Sequence, residues 1–127
     1  MIYLDTHVLV WLYCSGEPAV PKFAAQAMCE HDILISPIVR LELQYLYEIK
    51  KVSAPAATVF DELAGLIGLA MYNKPCSSIV TNAESQAWAR DPFDRIIVAQ
   101  AALSKSPLVT KDEVIHKNYP HALWDQP

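Results

Sequence analysis

The sequence predicts an α/β protein with three layers, in which a central parallel β-sheet lies between two layers of helices. Short apolar runs alternate along the chain with longer segments whose apolar residues recur at helical spacing. Strands that alternate with helices are typical of a parallel sheet covered on both faces. The chain has 127 residues, 53% of them hydrophobic and 19% charged, which predicts one folded domain over residues 1–127.

The first strand is predicted over residues 2–4, an apolar run that stops on Asp5. Thr6 is expected to cap the helix that follows, residues 7–13, because threonine commonly accepts N–H groups at helix starts. A Ser-Gly-Glu-Pro sequence then ends the helix.

Two helices and a strand follow. A helix is predicted over residues 22–30, with Pro21 near its start. The Ile-Leu-Ile-Ser sequence of residues 33–36 predicts the second strand. Pro37 suits the first turn of a third helix, which we expect to continue to about residue 50.

The third helix has a polar row and an apolar face. The polar row comprises Arg40, Gln44, Glu48 and Lys51. The apolar face is expected to comprise Ile38, Leu41, Tyr45, Leu46 and Ile49. Glu42 is in line with Ile38 and Leu46, where a charge is costly unless something pairs with it.

The middle of the chain carries weaker signals. A fourth helix is predicted from Ser53 to about Met71, with Pro55 in its first turn. Residues 74–79 are predicted to form a short strand or an extended connector, and a helix beginning at residue 81 or 82 is expected to end near Arg90.

The last third of the chain begins with a strong helix signal. Asp91 suits the cap, Pro92 the first helical position and Asp94 the third, in a helix expected to run to Leu103. This helix is apolar nearly all round after its first turn, which predicts burial. A strand over residues 108–110, a short helix and a strand over residues 122–124 complete the predicted chain.

Four acids follow strands or lie in early turns of helices, namely Asp5, Glu42, Asp94 and Asp112. In a parallel sheet all strand-to-helix turns meet at one edge, so these side chains are expected to be neighbours. Carboxylates that are gathered together repel one another unless a cation lies among them. Hard divalent ions such as Mg²⁺ and Mn²⁺ prefer oxygen ligands, so the four acids predict a site for such an ion.

Each acid also has a purely structural explanation. Asp5 and Asp91 can cap helices, Asp94 suits the positive end of a helix, and Asp112 suits a turn. Glu42 has the poorest such explanation, because its neighbours on the helix are apolar. The nearby basic residues Arg90, Arg95 and Lys111 can pair with the acids, lie in solvent or contact phosphate.

Composition excludes several other classes of protein. The three glycines form no phosphate-binding loop, and the four histidines make no zinc-ligand pattern with the cysteines. The three widely spaced cysteines predict a reduced, cytoplasmic protein. The early acid argues against a signal peptide, and no apolar run approaches the roughly 18 residues of a membrane span. The net charge of −4 neither indicates nor excludes a nucleic-acid partner.

Four segments in the same order resemble PIN domains, and more narrowly the VapC-type ribonuclease toxins of prokaryotic toxin–antitoxin pairs. The most specific is the D-P-F-D-R-I-I-V-A-Q-A run of residues 91–101. The resembling segments are residues 3–11, 36–42, 90–101 and 109–112. The chain departs from the commonest pattern at Leu41, where the family favours Trp before the Glu.

The resemblance implies a Rossmann-like α/β/α fold, bound Mg²⁺ or Mn²⁺, and cleavage of RNA inside the strand by a metal-activated water. It also implies a VapB-like antitoxin that blocks the site, and a homodimer. By position, Asp5, Glu42 and Asp94 match the three core catalytic and metal-binding acids, and Asp112 matches a less constant fourth. Asp91 matches an accessory acid, while Thr6 and Thr110 lie beside site acids that they are expected to orient.

Two other classes share some of these features. A signalling receiver also combines clustered acids, Mg²⁺, a strand-end Thr and a Lys, but receivers usually carry paired acids after the first strand, whereas Thr6 follows Asp5. A binding protein that keeps the scaffold without activity is the other alternative, against which the intact set of acids argues.

Overall fold

The computed structural model describes residues 1–72 and 74–126, and over this part of the chain it contains a five-stranded, all-parallel sheet of order β3-β2-β1-β4-β5. The strands are β1 (Ile2–Leu4), β2 (Ile33–Ile35), β3 (Ala70–Met71), β4 (Leu108–Val109) and β5 (Ala122–Leu123). The predicted α/β class with a central parallel sheet is therefore confirmed.

Helices connect the strands. They are α1 (Thr6–Ser15), α2 (Lys22–Cys29), α3 (Pro37–Glu48), α4 (Ala56–Ile67), α5 (Cys76–Glu84), α6 (Pro92–Leu103) and α7 (Glu113–Asn118). A short 3₁₀ turn, Glu17–Ala19, separates α1 from α2. In the described residues no helix has the length and apolarity that crossing a membrane requires.

Strand β1 lies at the centre of the sheet and determines where the acids meet. Its three residues are fully buried, and Tyr3 lies opposite Leu34 of β2 and Leu108 of β4. Because the three strands are parallel and in register, their carboxyl ends stop at one edge. Asp5 leaves that edge at its middle, flanked by the starts of α3 and of the β4–α7 loop.

The face of α3 that packs on the core differs from the predicted one. Val39 and Leu43 are fully buried, whereas Leu41 is 57% exposed, Tyr45 50% and Ile49 42%. The prediction that Leu41, Tyr45 and Ile49 lie on the buried face was therefore wrong. Helix α3 contacts α1, α4 and α6 at once, and this packing decides which side of the helix faces inward.

The fourth helix ends earlier than predicted. It stops at Ile67, because Gly68 adopts a left-handed conformation with φ of 71° that reverses the chain. Residues 70–71, expected to be helical, instead pair with β2 as the edge strand β3.

The prediction of a short strand or an extended connector over residues 74–79 was also wrong, and so were the predicted bounds of the next helix, from residue 81 or 82 to about Arg90. Helix α5 begins at Cys76, directly after Pro75, and ends at Glu84. Ile79 and Ala83, four residues apart, are buried on one side of α5, which is the helical spacing that the short apolar pattern did not show alone.

Candidate active site

The four predicted site acids all lie at the carboxyl edge of the sheet. Asp5 follows β1, Glu42 lies in the second turn of α3, Asp94 in the first turn of α6, and Asp112 caps α7 after β4. Asp5, Glu42 and Asp94 line one cavity of about 310 Å³. Asp112 is close enough to Asp94 for its charge to raise the pKa of the Asp94 carboxyl. The topology therefore brings together all four residues that the sequence singled out.

Asp5 is held by hydrogen bonds to both of its carboxylate oxygens. Oδ1 accepts the N–H of Thr6 at 2.8 Å, and Oδ2 accepts the hydroxyl of Thr110 at 2.7 Å. Asp5 is therefore the cap of α1, and the prediction that Thr6 caps this helix was wrong. Only 3% of Asp5 is exposed, so these two bonds fix the direction of a buried carboxylate.

The hydroxyl of Thr6 is free for another role because Asp5 takes the cap. It donates to Oε1 of Glu42 at 2.5 Å, joining α1 to α3. Burial nevertheless raises the pKa of Glu42 above its ordinary value, and the charges of Asp5 and Asp91 add to the rise, against the opposing effect of the Thr6 hydrogen bond. Glu42 is thus a partly buried acid in an unfavourable field, as its apolar neighbours on α3 predicted.

Among the site acids, Asp94 has the most strongly raised pKa. Burial first, and then the charges of Asp5, Asp91, Asp112 and Glu42, raise the pKa of its carboxyl from 3.8 to about 7. All of these causes disfavour the ionised form of the Asp94 carboxyl.

Asp112 and Asp91 combine a capping role with proximity to the site. Asp112 accepts the N–H groups of Val114 and Ile115 at 2.8 and 3.2 Å, and its own N–H donates to the Thr110 hydroxyl at 3.1 Å. Asp91 accepts the N–H of Phe93 at 2.8 Å and so caps α6, as predicted. The structural explanation of Asp91 as a cap is therefore confirmed, whereas Asp112, for which the sequence had suggested only a turn, caps a helix. Both residues also add negative charge around Asp94.

The positively charged side chains near the site are not paired with the acids. Within residues 1–72 and 74–126 no Lys or Arg forms an ion pair with a carboxylate, and the imidazole Nδ1 of His7 lies 3.4 Å from Asp5 Oδ2. The sequence allowed Arg95 to pair with the acids, lie in solvent or contact phosphate. In the structure it donates to the carbonyl groups of Ala83 and Glu84 at the end of α5. It therefore caps a neighbouring helix and does not neutralise Asp94.

His7 connects Asp5 to the β4–α7 loop. Its Nε2 accepts the N–H of Lys111 at 3.0 Å, which leaves Nδ1 to carry the proton of the neutral ring, on the side of Asp5. The ring also packs on Trp11, with centroids 4.8 Å apart. His7 thus acts in positioning the loop that carries Thr110 and Asp112.

The arrangement fits an ion that keeps part of its water shell. Within the described ranges, no group of three or more His, Cys, Asp or Glu side chains is arranged so that it could hold a metal ion as it stands. Mg²⁺ is usually held by one or two carboxylates with several waters, whereas a structural zinc site needs a closed tetrahedral set. The carboxylates of Asp5, Glu42 and Asp94, which line one cavity, are the oxygen donors that a hydrated divalent cation prefers.

One residue of the cavity was missed by sequence reasoning. Lys51 lines the cavity together with Glu42 and Asp94, although its place in the sequence suggested only the polar row of α3. Its position depends on the turn after α3, where Lys50 adopts a positive φ of 65°. Such a conformation in a non-glycine residue has no clear local signal in this sequence.

Comparison with protein families shows that residues 2–119 match the model of the PIN domain. Comparison with curated proteins found no match.

Three solved structures share the fold across nearly the whole chain. VapBC2 from Rickettsia felis, bound to a DNA fragment from its promoter, has 23% sequence identity and a TM-score of 0.63, covering 98% of this chain and 100% of the matched chain. VapBC-1 from nontypeable Haemophilus influenzae has 17% identity and a TM-score of 0.66, with 99% and 98% covered. DNA-bound VapBC from Salmonella typhimurium has 17% identity and a TM-score of 0.61, with 95% and 93% covered.

Proposed function

The chain belongs to the PIN domain family, and we propose that it is a VapC-type toxin, an endoribonuclease that depends on Mg²⁺ or Mn²⁺. The observation that carries the proposal is the cavity shared by Asp5, Glu42 and Asp94, beside which Asp112 adds a fourth charge. A metal-dependent hydrolase that acts on phosphodiester bonds uses acids of this kind to hold its ion, and it needs no side-chain nucleophile.

A bound divalent cation would supply an activated water as the nucleophile and positive charge to stabilise the leaving oxygen. The chain's own residues prepare the site for it. Thr110 and the Thr6 N–H fix the two oxygens of Asp5, and the Thr6 hydroxyl fixes Glu42. Asp94 must lose its proton before it can act as a ligand, and a cation nearby would lower its pKa from about 7 and so favour that loss.

The shape of the sheet favours this function over a receiver. Receivers of the flavodoxin-like class have the strand order 2-1-3-4-5, whereas this sheet has the order β3-β2-β1-β4-β5. Thr6 also occupies the position where a receiver usually carries a second acid, and its hydroxyl donates to Glu42.

The proposed partners follow from the solved complexes that share the fold. All three are VapBC assemblies, and two of them are bound to DNA. This supports a VapB-like antitoxin as the partner of this chain. We also propose that the chain forms a homodimer in the cytoplasm and that RNA is its substrate.

The test is cleavage of single-stranded RNA by the purified chain in Mn²⁺, in Mg²⁺ and in a chelator. We expect cleavage with either ion and none with the chelator. The Asp5→Asn variant should be inactive while keeping its helical circular dichroism, whereas Asp61→Asn, the same change on the exposed side of α4, should cleave like the wild type. Cleavage by Asp5→Asn at the wild-type rate would reveal a contaminating nuclease, and inactivity of the wild type with both ions would contradict the proposal.

A further inference from the structure

We infer that Lys51, on the α3 side of the acid cavity, and Lys111, beside Trp11 on its α1 side, bind the RNA backbone, each holding a phosphate that flanks the cleaved one. The inference rests on the proposed ribonuclease function and names the residues that recognise its substrate. It starts from an electrostatic difficulty. RNA brings a phosphate charge at every nucleotide, and this cavity is lined by three carboxylates, so the approach of the substrate needs positive charge at the rim.

Lys51 supplies that charge on the α3 side. The chain reverses after α3 through Lys50, whose φ is 65°, and the Lys51 N–H donates to the carbonyl of Leu46 at 2.8 Å. This 6→1 hydrogen bond ends the helix in the manner of a Schellman turn. It brings Lys51 back over the cavity that Glu42 and Asp94 line, while Lys50 does not line it. Val52, which follows, is buried and anchors the turn.

Lys111 supplies positive charge on the α1 side. Its Nζ lies 5.8 Å from the centre of the Trp11 ring, a cation–π contact, and Trp11 itself lines the acid cavity. Its backbone N–H donates to His7, so the residue is held at two points. On its other side is a second cavity of about 370 Å³, lined in part by Trp124 and Gln126.

The two lysines therefore have complementary positions. The backbone N–H of Lys51 donates to the Leu46 carbonyl and that of Lys111 to the His7 ring. Neither lysine is paired with an acid of the described residues. A strand of RNA that crosses the acids from the α3 side to Trp11 meets one ammonium group before the site and one after it. Contacts of this kind are made to phosphate, so they act on RNA of any sequence.

The experiment measures binding of a fluorescent single-stranded RNA at several salt concentrations, in the inactive Asp5→Asn background with Mn²⁺ present. Lys51→Ala and Lys111→Ala are compared with Lys50→Ala and Lys117→Ala. The controls carry the same change of charge on the adjacent residue and on the exposed side of α7. Cleavage by the same four lysine variants, each with Asp5 intact, is measured in parallel.

Release of one counterion per phosphate contact on a single strand contributes about 0.7 to the salt slope, which is about a fourfold change in affinity at physiological salt. We expect Lys51→Ala and Lys111→Ala each to weaken binding by about fourfold and to reduce the slope by about 0.7, with both effects adding in the double variant. The controls should bind and cleave like their parents. In cleavage, KM should rise with little change in kcat, because the lysines hold the RNA outside the acids.

Wild-type cleavage with equal binding by all four single variants would overturn the inference alone. Failure of the wild type to cleave RNA would instead overturn the proposed function. Weakening by Lys50→Ala as large as by Lys51→Ala would show that only the net charge of the protein matters, and would also overturn the inference.

Discussion

Replacing Asp94 by Asn should make the metal-free protein more stable at neutral pH and above. Asp94 is charged there in a place where burial and the carboxylates of Asp5, Asp91, Asp112 and Glu42 all disfavour its charge. Asparagine has nearly the same shape and no charge, so the substitution removes this cost without opening a cavity. A stabilising change that also abolishes the proposed activity is the expected behaviour of a residue retained for function.

The size of the effect follows from the pKa of Asp94, about 7 compared with an ordinary value of 3.8. At about 1.36 kcal/mol per pKa unit, this difference corresponds to roughly 4 kcal/mol. Because Asp94 is partly exposed, screening by solvent reduces the figure to about 2 kcal/mol.

The sign of the pH dependence is fixed by the direction of the shift. Below about pH 4 both the folded and the unfolded chain hold the Asp94 proton, so its ionisation costs nothing. Between about pH 4 and 7 the folded chain keeps a proton that the unfolded chain has lost, so the stability of the wild type falls as pH rises. Above about pH 7 the full cost is present, and Asp94→Asn should be about 2 kcal/mol more stable there.

Urea unfolding in a chelator, at about pH 4 and about pH 8, measures this difference, with Asp61→Asn as the control. Added Mn²⁺ should reverse the order, because a cation that binds the ionised site stabilises the wild type by mass action and the variant much less. Lower stability of Asp94→Asn than of the wild type at about pH 8 in the chelator would refute the reasoning, since Asp94 would then be making a favourable interaction.

Three further substitutions test individual contacts. Thr110→Val removes a fully buried hydroxyl that donates to Asp5 and should lower the free energy of unfolding by about 2 kcal/mol in urea; an unchanged value would show that the carboxylate does not need this donor. Arg95→Gln should lower the melting temperature by a few degrees and leave RNA cleavage intact, because the guanidinium caps α5; a folded variant that has lost cleavage would place Arg95 in the site after all. Gly68→Ala should cost about 1 kcal/mol or more in thermal unfolding, because φ at this residue is 71°; equal melting temperatures would mean that the turn relaxes.

The parts of the fold that sequence predicted well are those in which the signal is local chemistry. Asp91 and Pro92 specify the start of α6 through a side-chain cap and a fixed φ, and the structure has that cap. The end of α4 depends instead on Gly68 reversing the chain so that residues 70–71 can pair with β2. That pairing joins residues far apart in sequence, so the apolar pattern alone favoured a longer helix.

The convergence of the site acids was predictable because it follows from topology. Once the sheet is parallel, Asp5 and Asp112 must leave the same edge, and each needs only its own strand to be identified. The hydrogen bonds by which hydroxyl groups hold the acids were harder to predict from the sequence, because Thr6 and Glu42 are 36 residues apart and Thr110 and Asp5 are 105 apart. No periodic pattern in a single sequence connects such pairs.

The structural and functional explanations of the acids turn out to be compatible, and this explains why neither could be chosen from the sequence. Asp5 and Asp112 each cap a helix with one carboxylate oxygen, and such a cap is a reason for an acid at that single position. It is no reason for Asp94, whose ionisation disfavours folding, or for Glu42, whose pKa is raised in the same direction. In the absence of a cation, a neutral residue at either position would avoid this electrostatic cost. The proposed divalent cation would account for the presence of Asp94 and Glu42 beside the charged capping residues Asp5 and Asp112.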